Sequence, residues 1–330
     1  MNRGGRSLTV VRCSTIISAP EPIAWNLVQP RSASLPRAFR ALAAAALIAA
    51  AAPAPAQTRS LFEYDRDAPL DVREVASSTR VGGVVVRDVT YAAYNAPRGR
   101  IAAYVVTPAG SGPVAGILYF HWLGERRSDR TEFLDEAVAL APRGVASVLV
   151  QGYFPWTDAP AEGAADRRTI IEQVIDARRA LDLLASLPNV DDDRLAYVGH
   201  DYGAMYGAII AGLERRARAY VFMAGMGTFA DWSLKYWKAP ARGGEAAYRR
   251  AVADVDPIEY VGVASPAALL FQFARRDIYV SEAAAAEFFD EASGPKEQRW
   301  YDAEHDLDVD AAAADRRHWL AAQLDLRGGD

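Results

Sequence analysis

The chain has one cysteine, Cys13, in 330 residues. That excludes a disulfide framework and any thiolate metal cluster. Lysine is also scarce, with three residues, and histidine with four. The formal net charge is −5, and the arginines are scattered through the body. No concentrated cationic face follows from such a pattern, so nucleic acid is not an expected partner. No apolar run reaches the roughly 20 residues that a bilayer-spanning helix needs. Beyond Gln57 there is no repeat, no low-complexity linker and no heptad pattern. Gly-rich phosphate loops and metal-ligand motifs are missing as well, so no cofactor and no metal are expected.

What is present begins with a targeting pattern. Arg31, Arg37 and Arg40 precede the apolar stretch from Ala41 to Ala52. Pro53-Ala54-Pro55-Ala56-Gln57 follows. A charged region, a short apolar region and an A-x-A site read as an export signal cleaved near Ala56. Residues 1–56 are thus expected to be a signal peptide with an upstream extension. Residues 57–330 are expected to form one domain, exported to the periplasm or beyond, with no stable membrane association after cleavage.

The body alternates strand and helix patterns, as in a mostly parallel sheet covered on both faces. Strands are expected near 84–91, 101–107, 114–120, 145–150, 195–198, 220–223, 266–273 and 298–301. Val114–Phe120 is a continuous apolar run suited to a buried central strand. Helices are expected over 131–141, 170–187, 204–213, 282–292 and 311–324. Residues 226–263 break the regularity and are rich in aromatic side chains, among them Trp232, Tyr236 and Trp237. They read as a small lid after the sixth expected strand.

One turn carries the chemistry. Gly199-His200-Asp201-Tyr202-Gly203 joins the strand at 195–198 to a helix rich in small residues. The frame G-x-D-x-G between strand and helix matches the nucleophile elbow G-x-S-x-G, with aspartate in the serine position. Asp277 follows the next buried strand, and His305 follows the last one. The order nucleophile, acid, histidine fits that elbow, and all three fall at the carboxyl edge of the sheet. The expected roles are Asp201 as nucleophile, His305 as base and Asp277 as the acid that orients it. Asp302 and Asp306 are rival acids, but close sequence neighbours rarely reach the ring nitrogen. His318 lies on the final helix and reads as a surface or packing residue. Backbone N–H groups of Trp122 and Tyr202 are expected to form an oxyanion hole. His121, Trp156, Trp232, Tyr236 and Trp237 are expected to line the substrate site.

From about Val84 to Leu324 the chain resembles the α/β-hydrolase superfamily. The short lid and the Arg-Arg-Asp-Ile-Tyr-Val and Ala-Glu-His segments look most like dienelactone hydrolases. The elbow resembles that of epoxide hydrolases and haloalkane dehalogenases, whose nucleophile is an aspartate. The chain departs from both, because the first group would carry Ser or Cys at 201. The second would carry His-Gly-x-Pro where this chain has His121-Trp122-Leu123-Gly124. Aspartate attacking an ester would give an anhydride, an uphill route. Attack on a saturated carbon gives an enzyme alkyl ester that water can cleave. The expected activity is hydrolysis of a small electrophile of epoxide or alkyl halide type. A dienelactone-hydrolase-like esterase or lactonase and a non-catalytic binding protein remain as alternatives.

Overall fold

The computed structural model describes residues 59–123, 128–154, 162–236 and 243–326. The expected export signal, Trp156 and Trp237 lie outside them. Nine strands form one sheet: β1 (Arg73–Thr79), β2 (Val85–Ala92), β3 (Arg100–Thr107), β4 (Val114–Phe120), β5 (Val145–Val150), β6 (Val190–His200), β7 (Ala217–Met223), β8 (Ala268–Ala274) and β9 (Lys296–Tyr301). Their spatial order is β1-β2-β3-β5-β4-β6-β7-β8-β9. β1, β2 and β3 pair antiparallel and join the rest through an antiparallel β3–β5 ladder. From β5 to β9 every neighbouring pair is parallel.

The central parallel strands β4 and β5 are buried along their whole length because both faces are covered. On β4, Val114, Leu118 and Phe120 enter one core, while Ala115, Ile117 and Tyr119 enter the other. Leu195 and Tyr197 of β6 join the first, and Ala196 and Val198 join the second. Eight helices accompany the sheet among the described residues: α1 (Leu134–Leu140), α2 (Gly163–Ala185), α3 (Tyr202–Leu213), α4 (Phe229–Tyr236), α5 (Glu245–Val252), α6 (Ile258–Val261), α7 (Glu282–Glu291) and α8 (Asp310–Gln323). None of the described helices is long and apolar enough to cross a membrane.

The structure adds a strand to the sequence reading. β1 has the sequence Arg-Glu-Val-Ala-Ser-Ser-Thr and is exposed at every position. With no buried face it has no apolar alternation to reveal it. Helix α2 also starts seven residues before the expected Ile170. Its first turns bury Gly163 and Asp166 rather than large apolar residues, so the amphipathic pattern becomes visible late. The segment between β7 and β8, expected as a small lid, holds α4, α5 and α6, three short helices.

Candidate active site

The elbow follows β6 and opens α3. Asp201 adopts φ 53° and ψ −113°, outside the comfortable regions for an L-residue. Such a residue costs about 1–3 kcal/mol and persists only where its surroundings hold it. The Asp201 N–H donates to Met223 O at 2.8 Å, and the Met205 N–H donates to Asp201 O at 3.0 Å. Tyr197 donates its hydroxyl to Gly203 O at 2.7 Å. The two flanking glycines are required by space. A Cβ on Gly199 would sit 2.2 Å from Gly203 O, and one on Gly203 would sit 2.4 Å from Phe120 O.

The turn presents a fully buried carboxylate. Asp201 Oδ2 accepts the Leu123 N–H at 3.1 Å, and the Tyr202 backbone N–H also favours the charged carboxylate. Oδ1 accepts no hydrogen bond from the described residues. Burial pushes the Asp201 carboxyl up to about 6, against the pull of His305, His200 and the two N–H groups. His305 Nε2 lies 3.9 Å from Oδ1 and has no hydrogen-bond partner among the described residues. Its Nδ1 donates to Asp277 Oδ2 at 2.8 Å. That contact leaves the Nε2 lone pair facing the carboxylate. Asp277 Oδ1 is held by the N–H groups of Tyr279 and Val280 at 2.7 and 2.9 Å.

Asp201, His305 and Asp277 are therefore brought together. The rival acids stand elsewhere: Asp302 pairs with Arg276, and Asp306 accepts the Asp308 N–H at 3.2 Å. His318 is exposed on α8. Two expectations need correction. The Trp122 N–H donates to Glu132 Oε2 at 2.9 Å, so the donor beside Tyr202 is Leu123, one residue further along the loop. His121 is committed to the protein rather than turned to a ligand. Its Nδ1 donates to Trp122 O at 2.7 Å, and its Nε2 accepts the Gly152 N–H at 2.8 Å. Burial lowers its pKa, consistent with a neutral ring clamping the loops after β4 and β5.

The remaining walls are aromatic. The Trp232 ring lies 5.5 Å from His305 and stacks on Tyr279 at 5.5 Å. Tyr279 meets the His305 ring edge-on at 4.9 Å. Phe154 packs on Tyr202 at 5.1 Å. Tyr236 ends α4. The sequence reading missed Leu123, Tyr279 and Glu132. The first two are near neighbours of residues it singled out, whereas an acidic residue near a helix start gives no signal of burial. Among the described residues no group of three or more His, Cys, Asp or Glu side chains is arranged to hold a metal ion.

No protein-family model matches the chain, and no curated protein matches it. Solved structures do. An acetyl xylan esterase from Paenibacillus sp. R4 is 19% identical with a TM-score of 0.65, covering 81% of this chain and 92% of its own. Acetyl xylan esterase 1 from Thermoanaerobacterium sp. JW/SL YS485 is 16% identical with a TM-score of 0.61, covering 81% and 94%. An S-formylglutathione hydrolase from Agrobacterium tumefaciens is 14% identical with a TM-score of 0.59, covering 76% and 99%. With a mostly parallel sheet in this strand order, an elbow after β6 and these likenesses, the chain has the α/β-hydrolase fold.

Proposed function

We propose that the chain is a hydrolase of small electrophiles, in which Asp201 attacks a saturated carbon and His305 drives hydrolysis of the resulting ester. One observation carries this reading. Asp201 Oδ2 rests on the Leu123 N–H, while Oδ1 has no hydrogen-bond partner among the described residues and faces His305. The oxyanion donors thus already hold an oxygen of the protein itself.

The steps follow from that arrangement. An Oδ1 electron pair forms the new C–O bond, and the breaking bond's pair leaves with the halide or the epoxide oxygen. The alkyl ester now has Oδ2 as its carbonyl oxygen. His305 Nε2 takes a proton from water, and the hydroxide adds to the Asp201 carboxyl carbon. Charge develops on Oδ2, where the Leu123 N–H stabilises it, with the Tyr202 N–H as the second expected donor. Collapse releases the alcohol, which takes its proton from His305, and leaves Asp201 as the acid. Its proton is then lost to solvent to restore the carboxylate, or passes to the opened epoxide oxygen. For an alkyl halide the sum is halide plus water giving alcohol plus hydrogen halide. The aromatic walls formed by Trp232, Tyr279 and Phe154 suit an apolar substrate body and exclude water from the nucleophile.

A second reading is an esterase in which Asp201 acts as a base toward water. It is favoured by the printed names of the similar structures, which are esterases. It is weakened by the same Oδ2 contact, because a substrate carbonyl would need those N–H groups. The likeness to epoxide hydrolases rests on the elbow residues alone.

A single turnover in heavy-oxygen water tests the choice. Label in the Asp201 carboxylate, read by peptide mass spectrometry, is expected from the alkyl-enzyme route. Turnover of an ester with unlabelled Asp201 would overturn it.

A further inference from the structure

The residue before the nucleophile is a histidine with no solvent exposure. His200 Nε2 lies 2.9 Å from the carbonyl oxygen of His305. A carbonyl can only accept, so Nε2 carries a proton. Nδ1 lies 2.7 Å from Glu132 Oε1, and a second proton must lie between those atoms. The other Glu132 oxygen accepts the Trp122 N–H. The Trp122 ring lies over the imidazole at 5.2 Å and 9°, a geometry that favours a cation. Burial alone would drive the proton off His200. The Glu132 charge, its hydrogen bond, the His305 carbonyl and Asp201 act in the opposite direction, and the net effect is upward.

One carboxylate and one imidazole thus join three segments. They are the loop after β4 that supplies the Leu123 N–H, the elbow, and the loop after β9 that carries the base. We propose that Glu132 and His200 form a permanent buried ion pair that positions His305 and the oxyanion donors and keeps the Asp201 carboxylate ionised in its dry site. The last part rests on the reading of Asp201 as nucleophile, while the ion pair itself does not. The charged and titratable groups facing His200 are Glu132, Asp201, His305 and His121. Those facing Asp201 are His305 and His200, with Asp277 behind His305. Neither member of the pair touches the reacting atoms, so both are positioning residues.

Glu132→Gln separates charge from shape. The amide oxygen still accepts the Trp122 N–H, and the amide N–H can donate to a neutral His200 Nδ1. Three measurements follow. Nitrogen NMR of histidine-labelled protein, simplified by the four histidines, is expected to show His200 protonated on both nitrogens at pH 7. In E132Q it is expected to show Nδ1 unprotonated. The acid limb of kcat/KM is expected to move up by about one pH unit in E132Q, about tenfold in rate on the acid side. His200→Phe keeps the stacking but loses both hydrogen bonds. It is expected to lower kcat by about 10²-fold, the size of a roughly 1 Å misplacement, with KM unchanged. A neutral His200 in the wild-type protein overturns the proposal whatever the substrate proves to be. An unmoved acid limb in E132Q overturns the part that acts on Asp201.

Discussion

Replacing Asp201 by asparagine removes a charge that the fold accommodates at a cost. The folded Asp201 carboxyl stands at about 6, above its ordinary 3.8. Between those values the folded protein keeps a proton that the unfolded chain releases. Stability from this group is therefore greatest at low pH and falls as pH rises through that window. At 1.36 kcal/mol per pKa unit, the loss reaches about 3 kcal/mol above the window and about half of that at pH 5. Asparagine keeps the shape. Its oxygen can accept the Leu123 N–H, and its amide can donate to His305 Nε2. D201N is therefore expected to be the more stable protein, by about 3 kcal/mol at pH 8 and about 1.5 kcal/mol at pH 5. Urea unfolding at the two pH values, with equal m-values as the control, measures the difference. Melting temperature should rise by about 2–4 °C per kcal/mol. Equal stability at pH 8, or a gap that does not narrow toward pH 5, would refute the link between burial and charge at this site.

Asp277→Asn should lower kcat by about 10⁴-fold, because an amide donating to Nδ1 imposes the wrong His305 tautomer. Intact-protein mass spectrometry should then find the alkyl adduct accumulating, since only the second step needs the base. Gly199→Ala should destabilise by more than about 3 kcal/mol, because its Cβ meets Gly203 O at 2.2 Å; denaturant titration checks it. Arg316→Met should destabilise by about 3–5 kcal/mol by stranding buried Glu136, which Arg316 grips through Nε at 3.0 Å and Nη2 at 2.5 Å. Adding Glu136→Met should recover most of that loss, measured as a double-mutant cycle in urea.

The parallel strands were legible because burial on both faces leaves continuous apolar runs, as in Val114–Phe120 and Val145–Val150. The elbow was legible because its glycines answer a local steric demand that any sequence must meet. Asp277 and His305 were found by order and by their places after the last two strands. Other features depend on approach in space. Leu123 takes the donor role expected of Trp122 because Glu132, ten residues downstream, claims the Trp122 N–H. His121 faces inward because the loop after β5 brings Gly152 to its Nε2. Neither partner is marked by spacing or composition. β1 was missed for the opposite reason: it pairs with β2 through its backbone alone and buries no side chain.

The similar solved structures share this frame at 14–19% identity, a level at which shape is retained while chemistry can change. At an elbow serine, the N–H groups beside the nucleophile receive the oxygen of a substrate carbonyl. Here the Asp201 side chain brings its own oxygen to the Leu123 N–H. An incoming ester would have to displace it, whereas an alkyl ester formed on Asp201 already has its carbonyl oxygen there. In the proposed reaction the same donors and the same histidine then serve hydrolysis of the protein's own ester. In that proposed reaction it is the residue at 201 that decides which carbonyl the site acts on. A buried carboxylate in that role must stay ionised to attack. Among the groups around Asp201, His305 has to remain a neutral base, which leaves His200 as the cation placed to hold that charge.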